Sequence, residues 1–113
     1  MEILIGESDG VSTIAPKGRI DSITAKEFGD KVCALIRSGA KRVVIDLANI
    51  AYISSAGFRA LLIAGKLAEE TEGKLALCGV VGEVQRLFDI SAFATAFNIF
   101  PSREECIAKM RAA

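Results

Sequence analysis

The stretch Val43-Val44-Ile45-Asp46-Leu47-Ala48-Asn49-Ile50-Ala51-Tyr52-Ile53-Ser54-Ser55-Ala56-Gly57-Phe58-Arg59 decides the fold. Its first three residues are β-branched, with no polar alternation. A strand that reads this way is buried on both faces, and such strands are usually parallel and central. The far end reads differently. Two serines and two small residues lead into Phe58, Leu61, Leu62, Gly65 and Ala68, which share one face of a helix running to Glu70. After the turn residue Gly73, Lys74-Leu75-Ala76-Leu77-Cys78 reads as the next strand. Strand, helix and strand in this order predict a βαβ unit.

Upstream, Met1 to Ile5 and Val11 to Ala15 are short β-prone runs on either side of the turn cluster Gly6-Glu7-Ser8-Asp9-Gly10, the pattern of a hairpin. Pro16 has no amide N–H, which suits an edge or the end of the second strand. Thr24-Ala25-Lys26-Glu27 has the spacing of a capping box, and Ile23 and Phe28 that of a hydrophobic staple. Ala25, Phe28, Val32, Leu35 and Ile36 carry that helix to Gly39, a fitting residue just past its end. Downstream, Glu83 to Phe88 predicts a short helix and Phe97 to Phe100 a last short strand. Ser102-Arg103-Glu104-Glu105 is a second capping box, opening a helix that buries Cys106, Ile107 and Met110. The order β-β-α-β-α-β-α-β-α implies a mixed, mainly parallel sheet with right-handed crossovers. Function in such sheets gathers at the carboxyl ends of the strands.

Composition narrows the function. The chain has 113 residues, so one domain over 1–113 is expected, and 51% hydrophobic with 25% charged residues allows both a core and a soluble surface. Fourteen basic residues balance fourteen acidic ones, without the basic excess of a nucleic-acid binder. There is no histidine, which removes Ser-His-Asp and Cys-His catalysis and imidazole zinc sites. Cys33, Cys78 and Cys106 are widely spaced and odd in number. They predict no disulfide framework and no metal, and read as reduced, buried side chains of a cytoplasmic protein. The N-terminus lacks the marks of a signal peptide, and no apolar run nears the roughly 18 residues of a membrane helix. The longest, Leu61 to Gly65, is closed by Lys66. Gly79-Val80-Val81-Gly82 follows a strand but completes neither GxGxxG nor GxxxxGK[ST], so no nucleotide cofactor is expected.

Ser54 and Ser55 admit two readings. Serine is a favoured helix N-cap, and Ala56 and Gly57 let the helix pack closely on the sheet. A hydroxyl at a helix N-terminus is also a favourable place for phosphate, because first-turn N–H groups and the helix dipole stabilise its charge.

Three stretches together resemble the STAS-domain anti-sigma factor antagonists. Asp46-Leu47 with Tyr52-Ile53-Ser54-Ser55-Ala56-Gly57-Phe58-Arg59 is similar to the family's DL…[YF][MI]DSSGL signature and its SSAGLR variants. Gly18-Arg19-Ile20-Asp21-Ser22-Ile23-Thr24-Ala25 resembles GxLDxxTA. Val84-Gln85-Arg86-Leu87-Phe88-Asp89-Ile90-Ser91 resembles VxRLFxxSGL. The resemblance covers nearly the whole chain. It implies that Ser55 is a phosphoacceptor, that Ser54 replaces the family's aspartate and is an alternative acceptor, and that Ala56 replaces the family's second Ser/Thr. Asp21 matches an aspartate that lies near the phosphorylation site in that fold, although capping of the first helix together with Ser22 explains it equally well.

The fold expected is therefore α/β, a single STAS-like domain with a four- or five-stranded mixed sheet and helices largely on one face. The function implied by the resemblance is partner switching without catalysis by the chain itself. An anti-sigma factor serine kinase binds the unphosphorylated form, phosphorylates it with ATP, and a metal-dependent serine phosphatase restores it. Asp21, Ser54, Ser55, Gly57 and Arg59 are the expected partner-binding residues. Arg59 and Lys66 are expected outward beside Ser55, although a merely solvated face would carry the same charges. The alternatives are a STAS subunit of another assembly, such as a lipid-transport complex, and a small-molecule-binding or enzymatic α/β domain.

Overall fold

A computed structural model describes residues 1–112. The elements run β1 (Glu2–Ser8), β2 (Val11–Ile20), α1 (Ala25–Arg37), β3 (Arg42–Asp46), β4 (Ile50–Ile53), α2 (Ser55–Glu70), β5 (Lys74–Cys78), α3 (Gly82–Ile90), β6 (Asn98–Phe100) and α4 (Arg103–Ala112), with a 3-10 turn at Ala94–Ala96. Five strands form the path β1-β2-β3-β5-β6, and β4 adds a sixth by pairing with β2. Among the described residues only the β1–β2 hairpin is antiparallel.

The run Val43-Val44-Ile45 is buried on both faces, as its sequence predicts. Val43 and Ile45 join the large cluster beneath α1, α2 and α3, whereas Val44 joins a small one with Val11, Ala76, Cys78, Cys106 and Met110 beneath α4. Three helices thus cover one face and one covers the other. The three cysteines are free and buried. Cys78 and Cys106 meet between β5 and α4. A hydrogen bond with Cys106, burial and the nearby Asp46 carboxylate all push the Cys78 thiol far above its ordinary range.

Three local expectations are corrected. Pro16 neither ends the second strand nor sits at an edge: β2 runs through it to Ile20, between β1 and β3. The register explains how the proline is tolerated. β3 pairs with Ser12 to Ile14 and β4 with Gly18 to Ile20, so Pro16 lies in the gap between two partners laid end to end along β2. Thr24 does not cap α1 through its side chain. Asp21 Oδ1 accepts from the Ile23 and Thr24 backbone N–H groups at 2.9 and 3.0 Å, while the Thr24 hydroxyl donates to the Arg19 carbonyl at 2.6 Å. Nor is there a staple, because Ile23 is 84% exposed. The second capping serine behaves as expected: Ser102 Oγ accepts from the Glu105 N–H at 3.2 Å.

Candidate functional site

β4 continues in the direction of β3 after a short turn. In that turn the Leu47 N–H donates to the Cys78 carbonyl at 2.9 Å, and the Gly18 N–H donates to the Asn49 carbonyl at 3.1 Å. Gly79 closes over the same turn at φ +70°, where a Cβ would come within 2.7 Å of both the Ala48 nitrogen and Asp46 Oδ1. This offset carries the ends of β2 and β4 beyond the rest of the sheet. Asp21 follows the first and Ser54 the second. The Ser54 N–H donates to the Ile20 carbonyl at 2.8 Å, so the two loops are joined at their roots.

The two serines have different surroundings. Ser54 is extended, with φ −92° and ψ 174°, and is the N-cap of α2: its Oγ accepts from the Gly57 N–H at 3.3 Å. Ser55 is the first helical residue. It is exposed, and its hydroxyl has no hydrogen-bond partner among the described residues. Gly57 is buried where α2 meets the sheet. A Cβ there would lie 2.6 Å from Ile53 Cγ1, 2.8 Å from Ile20 Cγ2 and 3.2 Å from the Ile20 carbonyl oxygen. Its place is structural, since it sets the close approach that holds the serines against the end of β2. The start of α2 is fixed laterally by Phe58, whose ring meets Phe88 edge-on at 4.8 Å and stacks on Phe93 at 5.2 Å.

Asp21 is partly exposed, and the backbone N–H groups of Thr24 and Ile23 hold its carboxyl below the usual carboxylate range. Arg19, a neighbouring positive charge, acts in the same direction. Arg59 is exposed one turn into α2 and lines a groove of about 320 Å³ between α1 and α2, with Lys26, Asp30, Arg37 and Ile63. Lys66 also faces outward, but it is eleven residues on from Ser55, roughly 16 Å along a helix axis. It lines a separate groove of about 670 Å³ with Lys74, Phe97 and Asn98. Asp21, Ser54, Ser55 and Gly57 are therefore brought together, Arg59 borders them, and Lys66 does not.

Sequence reasoning missed Arg19 and Tyr52. They are opposed in the β2–β4 pairing, and the Arg19 guanidinium lies over the Tyr52 ring at 4.4 Å. No alternation marks this strand, because Ile50, Ala51, Tyr52 and Ile53 are all apolar, and only the pairing with β2 reveals it.

The helices α1, α2 and α3 all begin just beyond carboxyl ends of parallel strands, so three N-terminal dipole ends face this edge. Asp21 already satisfies donors at the first. The edge as a whole tolerates added negative charge. No group of acidic, thiol or imidazole side chains suited to a metal occurs among the described residues.

An α/β layer with this strand order, and a serine pair opening the helix after the central strands, is the architecture of a STAS domain. The chain belongs to the STAS domain family, whose pattern it matches over residues 2–106. Within the family it falls among the anti-sigma factor antagonists. It is 33% identical over 113 residues to BtrV of Bordetella bronchiseptica, named a candidate anti-sigma factor antagonist, covering 100% of this chain and 97% of that one. An anti-sigma factor antagonist from Mycobacterium paratuberculosis has the same fold, with a TM-score of 0.84 at 21% identity over 97% of this chain and 93% of that one. So does the Bacillus protein SpoIIAA. Its unphosphorylated form gives a TM-score of 0.75 at 16% identity, covering 99% of this chain and 100% of that one. Its phosphorylated form gives 0.71 at 16% identity, over 96% and 98%.

Proposed function

We propose that this chain is the switchable member of a partner-switching circuit. Unphosphorylated, it binds an anti-sigma factor that is also a serine kinase, and that binding frees a sigma factor. Ser55 Oγ then attacks the γ-phosphorus of ATP held by the kinase, its proton passes to a base of the kinase, and ADP leaves. A metal-dependent serine phosphatase hydrolyses the phosphoserine and restores the binding form. The chain is substrate and ligand throughout, not catalyst.

The observation that carries this reading is the contrast between the serines. Ser54 is engaged as a cap, whereas Ser55 presents an unengaged hydroxyl at the start of α2. A phosphate there adds about −1.5 to −2 charges at pH 7, at a helix end that accommodates them. The same charge in a surface that must be desolvated on docking opposes binding. That SpoIIAA exists in both phosphorylated and unphosphorylated forms on this fold supports the assignment.

The test is incubation with the cognate kinase and ATP, followed by peptide mass spectrometry. One phosphate on Ser55 is expected, with none on Ser55→Ala protein. Phosphate confined to Ser54 would overturn the residue assignment. Equal kinase affinity of phosphorylated and unphosphorylated protein in calorimetric titration would overturn the switch.

A further inference from the structure

We propose that Arg59 is the intramolecular counter-ion of a phosphate on Ser55, so that modification both adds negative charge and withdraws a positive one from the docking surface. The proposal rests on the reading that Ser55 is the acceptor.

Ser55 and Arg59 stand four residues apart on α2, one turn of helix, and both are exposed. Between them Gly57 and Phe58 are buried and Ala56 is half-buried, so the outward strip of this turn consists of Ser55 and Arg59. Arg59 lines the groove beside Ala56, and because long helical side chains lean toward the N-terminus, a guanidinium at 59 can reach a phosphate on residue 55. Its planar fork matches phosphate oxygens two at a time.

The other nearby cations are committed or distant. Arg19 lies on the Tyr52 ring and acts on the Asp21 carboxylate. Lys26 is paired with Asp30 at 2.8 Å. Arg37 is in the last turn of α1, at the far end of the groove. Arg59 has no ion pair or hydrogen bond among the described residues. In the unphosphorylated protein it is free for an acidic group of a partner. Once phosphate is present, the nearer and more highly charged ligand is on its own helix.

The test places phosphoserine at position 55 by genetic encoding, so that no kinase is involved. The second ionisation of the phosphate is followed by ³¹P NMR in otherwise wild-type protein and in Arg59→Gln, Arg59→Lys and Arg19→Gln backgrounds. In wild type it is expected at lower pH than in Arg59→Gln by about half a unit, roughly a threefold shift. Arg59→Lys should retain part of the shift and Arg19→Gln all of it. Thermal melts of each variant confirm that folded protein is compared. An unchanged titration in Arg59→Gln, or a shift abolished by Arg19→Gln, overturns the proposal. Failure of a kinase to modify Ser55 would count against the partner-switch reading while leaving this measurement intact.

Discussion

The backbone N–H of Ser54 donates to the carbonyl of Ile20 at 2.8 Å, tying the start of α2 to the last residue of β2. Through this bond the loop that carries the serines and the loop that carries Asp21 share one support.

The two serines should separate by stability. Ser54→Ala removes the acceptor of the Gly57 N–H and should cost about 1 kcal/mol, within the usual range for a lost N-cap. Ser55→Ala removes an exposed hydroxyl and should leave the urea midpoint almost unchanged. Equal losses at both positions would contradict the division of roles.

Gly57→Ala should destabilise the protein even though alanine is the better helix former by about 1 kcal/mol. The new methyl would stand 2.6 Å from Ile53 Cγ1 and 2.8 Å from Ile20 Cγ2, and overpacking of this kind costs about 1–3 kcal/mol. Calorimetry should show a melting temperature lower by several degrees. A melting temperature at or above wild type would show that α2 can move off the sheet without penalty.

Asp21 gives a pH dependence of definite sign. Its folded pKa lies below the ordinary value of 3.8, chiefly because the Thr24 and Ile23 N–H groups favour the carboxylate. A depressed folded pKa contributes stability above the unfolded value and loses it as pH falls through the folded one. Asp21→Asn should therefore be less stable than wild type near neutrality, with the gap closing below about pH 4. Denaturant midpoints measured at pH 7, 4 and 3 check this, and a gap that widens on acidification would refute it.

The cysteines should be silent in the native protein. Cys78 and Cys106 are each 0% exposed and Cys33 is 7% exposed, so none of the three thiols is open to a reagent in the folded protein. Alkylation with iodoacetamide at pH 8 should proceed only as fast as the protein opens, and should become rapid in denaturant. Fast stoichiometric labelling of folded protein would contradict the burial.

The ladder of strands was legible where burial leaves a mark on sequence. Val43-Val44-Ile45 reads as two-faced burial because neighbouring residues enter different cores. The serine pair was visible as a helix start for a different reason, since serine is a favoured N-cap and Ser54 takes that role. β4 was hidden, since four residues so soon after β3 look like part of a connection until its pairing with β2 is known. The Arg19–Tyr52 contact was lost with it. Pro16 misled because a missing N–H is disqualifying only where a neighbour needs it, which is a property of register. At Thr24 two local patterns competed, and Asp21 took the backbone donors from three residues upstream.

The shared strand β2 also bears on the order of events in folding. Its hairpin with β1 closes over a turn at Asp9 and Gly10, whose positive φ values of 52° and 79° match a tight reversal, so this part needs no distant chain. The other neighbours of β2 arrive only after the α1 crossover, β3 directly and β4 by the short turn that follows β3. Closing those longer loops is the slower step. Assembly can thus begin on a preformed two-stranded template, and the edge that bears Ser55 is completed only when β4 docks on its outer half.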